Sequence, residues 1–79
     1  MDLEERVKNI IMEKLGVDLD KITPDATFAE DLNVDSLAQM QLVMEFEDQF
    51  SISIPDEDAQ QLTTVGKALE YLKEKVGEQ

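Results

Sequence analysis

Leu3, Val7, Ile10, Ile11 and Leu15 recur at the three-four spacing of one helical face. Comparable stripes return in Leu42, Val43, Phe46 and Phe50, and again in Val65, Leu69, Leu72 and Val76. Seventy-nine residues allow one small core and no second one. Three apolar helical faces in so short a chain must therefore bury one another, which predicts an all-α fold. The expected architecture is a small antiparallel bundle of three main helices plus one short helix, forming a single domain over residues 1–79.

The punctuation between the stripes supports this division. Gly16 suits the C-cap of the first helix, and Thr64 the N-cap of the last, with Ala68 and Tyr71 flanking its stripe. Leu37 to Phe50 reads as the second helix. "SISIPDEDAQQL" then offers an extended piece, a Pro55 able to start a helix, and one or two turns through Leu62. Between Val17 and Asp35 the helical pattern breaks at Pro24 and a scatter of Asp, Thr and Asn. Val17, Leu19, Ile22, Phe28, Leu32 and Val34 nevertheless keep that long loop apolar enough to pack, a combination that points to a functional or well-packed loop.

Charge and missing residue types narrow the function. Seven Lys and Arg stand against nineteen Asp and Glu, for a net charge of -12, and no cation occurs between Lys21 and Lys67. That field repels phosphate backbones and anionic lipids, so neither nucleic acid nor membrane insertion is expected; it attracts basic protein partners. The chain has no Cys, His or Trp. Thiolate and imidazole metal sites and nucleophile–histidine catalysis are thereby excluded, which removes most enzyme mechanisms, and no dedicated metal site is expected. The N-terminal "MDLEERVKN" is acidic and helix-like, and no apolar run approaches the roughly 20 residues that span a bilayer. A cytoplasmic monomer is expected.

The second helix carries two apolar faces. At about 100° per residue, Gln39, Leu42, Val43 and Phe50 fall within about 60° of Phe46 and form the core-facing side, on which Gln39 stands out as polar. Opposite them, Met40, Gln41, Met44, Glu45, Glu47 and Asp48 cluster around Leu37. Flexible methionines rimmed by carboxylates suit docking to a basic partner, although the same pattern would fit a helix buried on both sides. Ser36 stands where this helix begins, with Asp35 available as the cap. A serine there is an ordinary helix-start residue. It is also a place where free N–H groups and the helix dipole favour an attached phosphate.

Over essentially its whole length the chain resembles the acyl carrier proteins of dissociated (type II) fatty acid synthesis, within the phosphopantetheine-carrier superfamily. The family's Asp-Leu-x-x-Asp-Ser-Leu pattern is present as Asp31, Leu32, Asn33, Val34, Asp35, Ser36 and Leu37, followed by "LVMEFEDQF" at the family's spacing. "IPDEDAQQLTTVGKALEYL" resembles the family's third helix, turn and last helix. The resemblance implies that Ser36, flanked by Asp35, is esterified by the 4'-phosphopantetheine of coenzyme A, whose terminal thiol holds the acyl chain as a thioester. It implies a phosphopantetheinyl transferase (holo-acyl carrier protein synthase) as partner, and a protein that is a substrate of enzymes and itself catalyses nothing. Fatty acid synthesis enzymes and acyltransferases with basic patches would dock on Leu37, Met40, Gln41, Met44, Glu47 and Asp48. It also implies that acyl chains fold back into the bundle, with Val43, Phe46, Ile54, Ala59, Leu62, Ala68 and Tyr71 as candidate lining; ordinary core packing explains each of these as well.

Three positions depart from the family pattern. Asn33 replaces a usual glycine and tolerates left-handed backbone. Ala38 and Gln41 replace acidic residues and neutralise the start of the docking face, so partners reading charge near Ser36 are expected to bind more weakly than they bind a standard carrier, with more of the binding falling to Met40, Met44, Glu47 and Asp48. Those neutral positions keep a D-alanyl, polyketide or peptidyl carrier in view. A calcium-binding protein is the alternative of another class, prompted by Asp31, Asn33 and Asp35. An EF-hand loop begun at Asp31 would need Gly and Glu where Ser36 and Leu42 stand.

Overall fold

In the computed structural model, which describes residues 2–77, the first helix, α1, spans Leu3–Leu15. Asp2 Oδ1 accepts from the Glu5 N–H at 2.9 Å, satisfying one of the free donors of its first turn. Gly16 stops it at φ 67°, and its N–H returns to Met12 O at 2.9 Å. Left-handed backbone at that point is cheap only without a Cβ. Helix α2, Ser36–Phe50, starts one residue earlier than its apolar pattern suggests and ends on Ser51, itself left-handed at φ 54°. A four-residue helix, α3, covers Asp56–Ala59, and α4 covers Val65–Gly77. Thr64 Oγ1 accepts from Lys67 N at 3.1 Å, the cap expected there.

The short helix stops before the expected Leu62. Gln61 N–H bonds to Asp58 O and Leu62 N–H to Ala59 O, so the chain tightens into three-residue turns after Ala59. A single 3₁₀ turn, Leu19–Lys21, adds order to the first loop that periodicity does not signal. Among the described residues the extended backbone is limited to one antiparallel bridge, Thr27 with Thr64.

Helix α1 packs on α2 and α4. The buried face of each helix follows its stripe: Val7, Ile10 and Ile11 from α1; Leu42, Val43, Phe46 and Phe50 from α2; Val65 and Leu72 from α4. Each fully buried aliphatic among them contributes roughly 1.5–3 kcal/mol relative to exposure. In α4 the centre of the buried face is Ala68, fully enclosed, with Leu69 and Val76 only partly covered. The small side chain lets the neighbouring segments approach closely. At the far end of the bundle the Arg6 guanidinium lies 4.6 Å from the Phe50 ring centroid and donates to Gln49 O at 3.3 Å. One cation thus caps a last-turn carbonyl of α2 and covers an aromatic face.

The first loop is held as firmly as a strand. Phe28 N–H bonds to Thr63 O, Val65 N–H to Ala26 O and Gly66 N–H to Pro24 O, at 2.9 to 3.1 Å, while Ile22, Ala26, Phe28, Leu32 and Val34 are buried. Its exit is fixed by Asn33, left-handed at φ 56°, and by the Val34 N–H bonded to Phe28 O at 2.7 Å. These contacts aim the chain into the first turn of α2.

Candidate functional site

Thr27 and Asp31 hold each other reciprocally just before that exit. Asp31 Oδ2 accepts from Thr27 N at 2.9 Å and Thr27 Oγ1 from Asp31 N at 3.1 Å. The turn they close delivers Asp35 as the N-cap of α2, its Oδ1 accepting from Ala38 N at 2.8 Å. Ser36 is then the first helical residue and is exposed. Among the described residues its hydroxyl makes no hydrogen bond, and the N–H groups of Ser36 and Leu37 have no backbone partner. Its neighbour Asp35 accepts the Ala38 N–H through Oδ1, so the hydroxyl is an open oxygen at the positive end of a helix dipole.

Two surfaces adjoin this oxygen. One is the outer face of α2, where Leu37, Met40 and Met44 are 65%, 61% and 60% exposed. That exposure removes the reading of a helix buried on both sides. Gln41 and Asp48 are exposed beside them, whereas Glu47 is half-buried. Glu45 turns toward α1: its carboxylate takes the Gln49 amide at 2.8 Å and the Lys14 ammonium at 3.2 Å. Those partners, the Gln49 bond first, hold its pKa below the usual carboxylate value. The other surface is a cleft of about 580 Å³ that runs from Ser36 along α2 toward Glu47, bounded across from it by Ile54, Ala59 and Thr63. Val34, Val43, Ile54 and Ala59 provide apolar wall, and Gln39 enters from α2.

A model of the phosphopantetheine attachment site family matches residues 5–72, from the first turn of α1 into the second half of α4. The chain belongs to that family. Its cofactor is a covalently attached 4'-phosphopantetheine, and domains of this family are generally non-catalytic carriers of acyl or peptidyl groups. They work with a phosphopantetheinyl transferase and acyl-processing enzymes. The residues present fit such a group: the start of α2 offers an exposed hydroxyl beside unpaired backbone N–H groups, as an attached phosphodiester requires. No helix among the described residues is long and apolar enough to cross a membrane. Family membership displaces the calcium-binding reading; of the carboxylates that prompted it, Asp31 accepts the Thr27 N–H through Oδ2 and Asp35 the Ala38 N–H through Oδ1.

The fold distributes the seven candidate lining residues over three places. Val43, Ile54 and Ala59 line the cleft. Phe46 and Ala68 lie in the core, 1% and 0% exposed, with the Phe46 ring 6.4 Å from that of Phe50 and neither residue among the cleft lining. Leu62 and Tyr71 border a separate groove of about 230 Å³ against α4. Helical spacing alone could not separate these sets, since which of two buried directions is open depends on where α3 lies.

Three polar ties around the cleft join residues far apart in sequence. Glu47 Oε2 accepts from Ile54 N at 2.8 Å, Tyr71 Oη donates to Asp58 Oδ2 at 2.7 Å, and Gln39 Nε2 donates to Leu62 O at 2.8 Å. Together they hold α3 and its flanks over the cleft. Burial raises the Tyr71 pKa to about 12, helped by the Asp58 bond and by the negative charges of Asp58 and Glu47. The only signal of these ties in the sequence is Gln39, a polar residue on an otherwise apolar stripe.

Proposed function

We propose that Ser36 is the attachment point and that the chain carries acyl intermediates of fatty acid synthesis. The observation that carries the reading is the position of Ser36: exposed, first in α2, free of internal hydrogen bonds, and shared by the docking face and the cleft. When bound, the 4'-phosphopantetheine supplies the thiol on which an acyl group is held as a thioester, chemistry this cysteine-free chain lacks. The chain's own residues do the rest. Asp35 fixes the first turn so that the Ser36 oxygen faces outward, and the Ser36 and Leu37 N–H groups stabilise a phosphodiester there. Leu37, Met40 and Met44 offer adaptable apolar contact, and Gln41, Glu47 and Asp48 rim it for enzymes with basic patches. Val43, Ile54 and Ala59 shelter the chain's apolar cargo. The protein itself catalyses nothing on this reading and acts as a single domain over residues 1–79 in the cytoplasm.

Incubation with coenzyme A and a phosphopantetheinyl transferase is expected to add one phosphopantetheine, read by intact mass. Absence of the gain, or a gain that survives Ser36→Ala, overturns the reading. A D-alanyl, polyketide or peptidyl carrier is the second reading, favoured by the neutral Ala38 and Gln41 in the first turns of α2. Mass spectrometry of the native acyl group separates the two.

A further inference from the structure

Gln39 lies one turn beyond Ser36, about 4.5 Å along the helix axis, whereas Val43 lies about 10.5 Å along it. Its half-buried side chain lines the cleft and donates through Nε2 to Leu62 O at 2.8 Å. A primary amide has two N–H donors and a carbonyl acceptor. The brace uses one donor; the second N–H and Oε1 have no partner among the described residues. The cleft's apolar wall of Val34, Val43, Ile54 and Ala59 is interrupted by Glu47, Asp56, Gln60 and Thr63, and at its Ser36 end Gln39 presents an anchored amide with unused hydrogen-bonding capacity.

This has unequal consequences for different chains laid along Val43 and Ile54. A saturated chain strips water from the amide and returns nothing, whereas a chain bearing a hydroxyl or keto oxygen replaces the lost water while its alkyl end keeps the apolar wall. We propose that Gln39 is a specificity-determining residue that makes this cleft prefer acyl chains oxygenated near the thioester over saturated chains of equal length. The proposal rests on the carrier reading, because it needs a chain tethered at Ser36. The brace to Leu62 supplies the rigidity: with its Nε2 held, the amide cannot swing out to solvent without opening the contact between α2 and the end of the α3 segment.

The test loads the full chain with octanoyl or 3-hydroxyoctanoyl phosphopantetheine from the corresponding coenzyme A thioesters, and includes the unacylated arm. In the wild type the hydroxylated chain is expected to raise Tm more than octanoyl, by about 4–8 °C, the size of one added net hydrogen bond in a domain this small. In the near-isosteric Gln39→Met the order reverses. The Gln39 side-chain amide resonances of the wild type, which need no variant, shift with the hydroxylated chain and not with octanoyl. Octanoyl stabilising the wild type equally or more, or an order unchanged in Gln39→Met, overturns the proposal. So does a Gln39 resonance already fully shifted by the unacylated arm, whose own amides would then be the occupant. Failure of any thioester to load removes Ser36 attachment instead, and loading without stabilisation by either chain removes acyl sheltering; the preference falls with either, and the two failures are distinguishable.

Discussion

Replacing Glu47 tests whether this carboxylate serves the docking face alone or also holds the roof of the cleft. Its Oε2 accepts from the Ile54 N–H at 2.8 Å, and Ile54 is 6% exposed. Glu47→Ala removes the acceptor and leaves a buried backbone donor to be satisfied by whatever water can enter. An unsatisfied buried donor costs about 1–3 kcal/mol; the half-exposed setting of Glu47 places the expected loss in the lower part, about 1–2 kcal/mol. For a domain of this size that lowers Tm by roughly 4–16 °C. Glu47→Gln removes the same charge and keeps a carbonyl oxygen at the same reach, so it is expected to stay within about 0.5 kcal/mol of wild type. Both variants relieve the repulsion between Glu47 and its acidic neighbours, so the difference between them removes the charge effect and leaves the hydrogen bond together with the side-chain methylenes that Ala lacks. Thermal unfolding measures the global cost, and amide hydrogen exchange at Ile54 the local one, with a roughly 5- to 30-fold acceleration in Glu47→Ala. Coincident melting curves for the two variants, together with equal Ile54 exchange, would refute the reasoning and return Glu47 to the docking face alone.

The other expectations concern separate ties. Tyr71→Phe removes the bond to Asp58 and is expected to cost about 1 kcal/mol at neutral pH in urea unfolding. Because the folded phenol is raised to about 12, its stabilisation is complete below the ordinary phenol value and is lost as pH rises through about 12. Tyr71 is the sole tyrosine, so phenolate absorbance reads it directly, and a midpoint at the ordinary value in the folded chain would contradict the geometry. Gly66→Ala would place a Cβ 2.9 Å from Pro24 O, a backbone atom that also accepts the Gly66 N–H. A loss of about 1–3 kcal/mol is expected, against little change for Gly77→Ala, whose Cβ meets nothing within 4 Å; equal effects would remove the close approach as the cause. The paired change Ala38→Asp and Gln41→Glu is expected to speed transferase modification and steepen its salt dependence. An unchanged rate and salt profile would show that partners do not read charge at those two positions.

Much of the frame was legible because its causes are local. A helix stripe, a glycine that stops a helix and an Asp or Thr that starts one act within a few residues of themselves. Leu3–Leu15, Gly16, Asp35, Thr64 and the buried Leu42, Phe46 and Phe50 follow from those rules. The exposed Leu37, Met40 and Met44 were legible for the same reason, as the face of α2 left over once the core stripe is assigned. The division of Phe46 and Ala68 from Val43, Ile54 and Ala59 was not. Both groups are apolar residues of amphipathic segments, and only the position of α3 makes one set core and the other wall.

By itself, then, the order of residues determined three helices, their caps, the lone hydroxyl at the head of α2 and the acidic, methionine-bearing face beside it. Tertiary structure decided how the long loop is pinned to residues 63–66, which carboxylates remain available to a partner, and that a polar Gln39 ties α2 to Leu62. The division has a physical origin. Helix periodicity and capping are short-range, whereas a hydrogen bond between residues 23 or 43 positions apart depends on how the finished helices lie against one another.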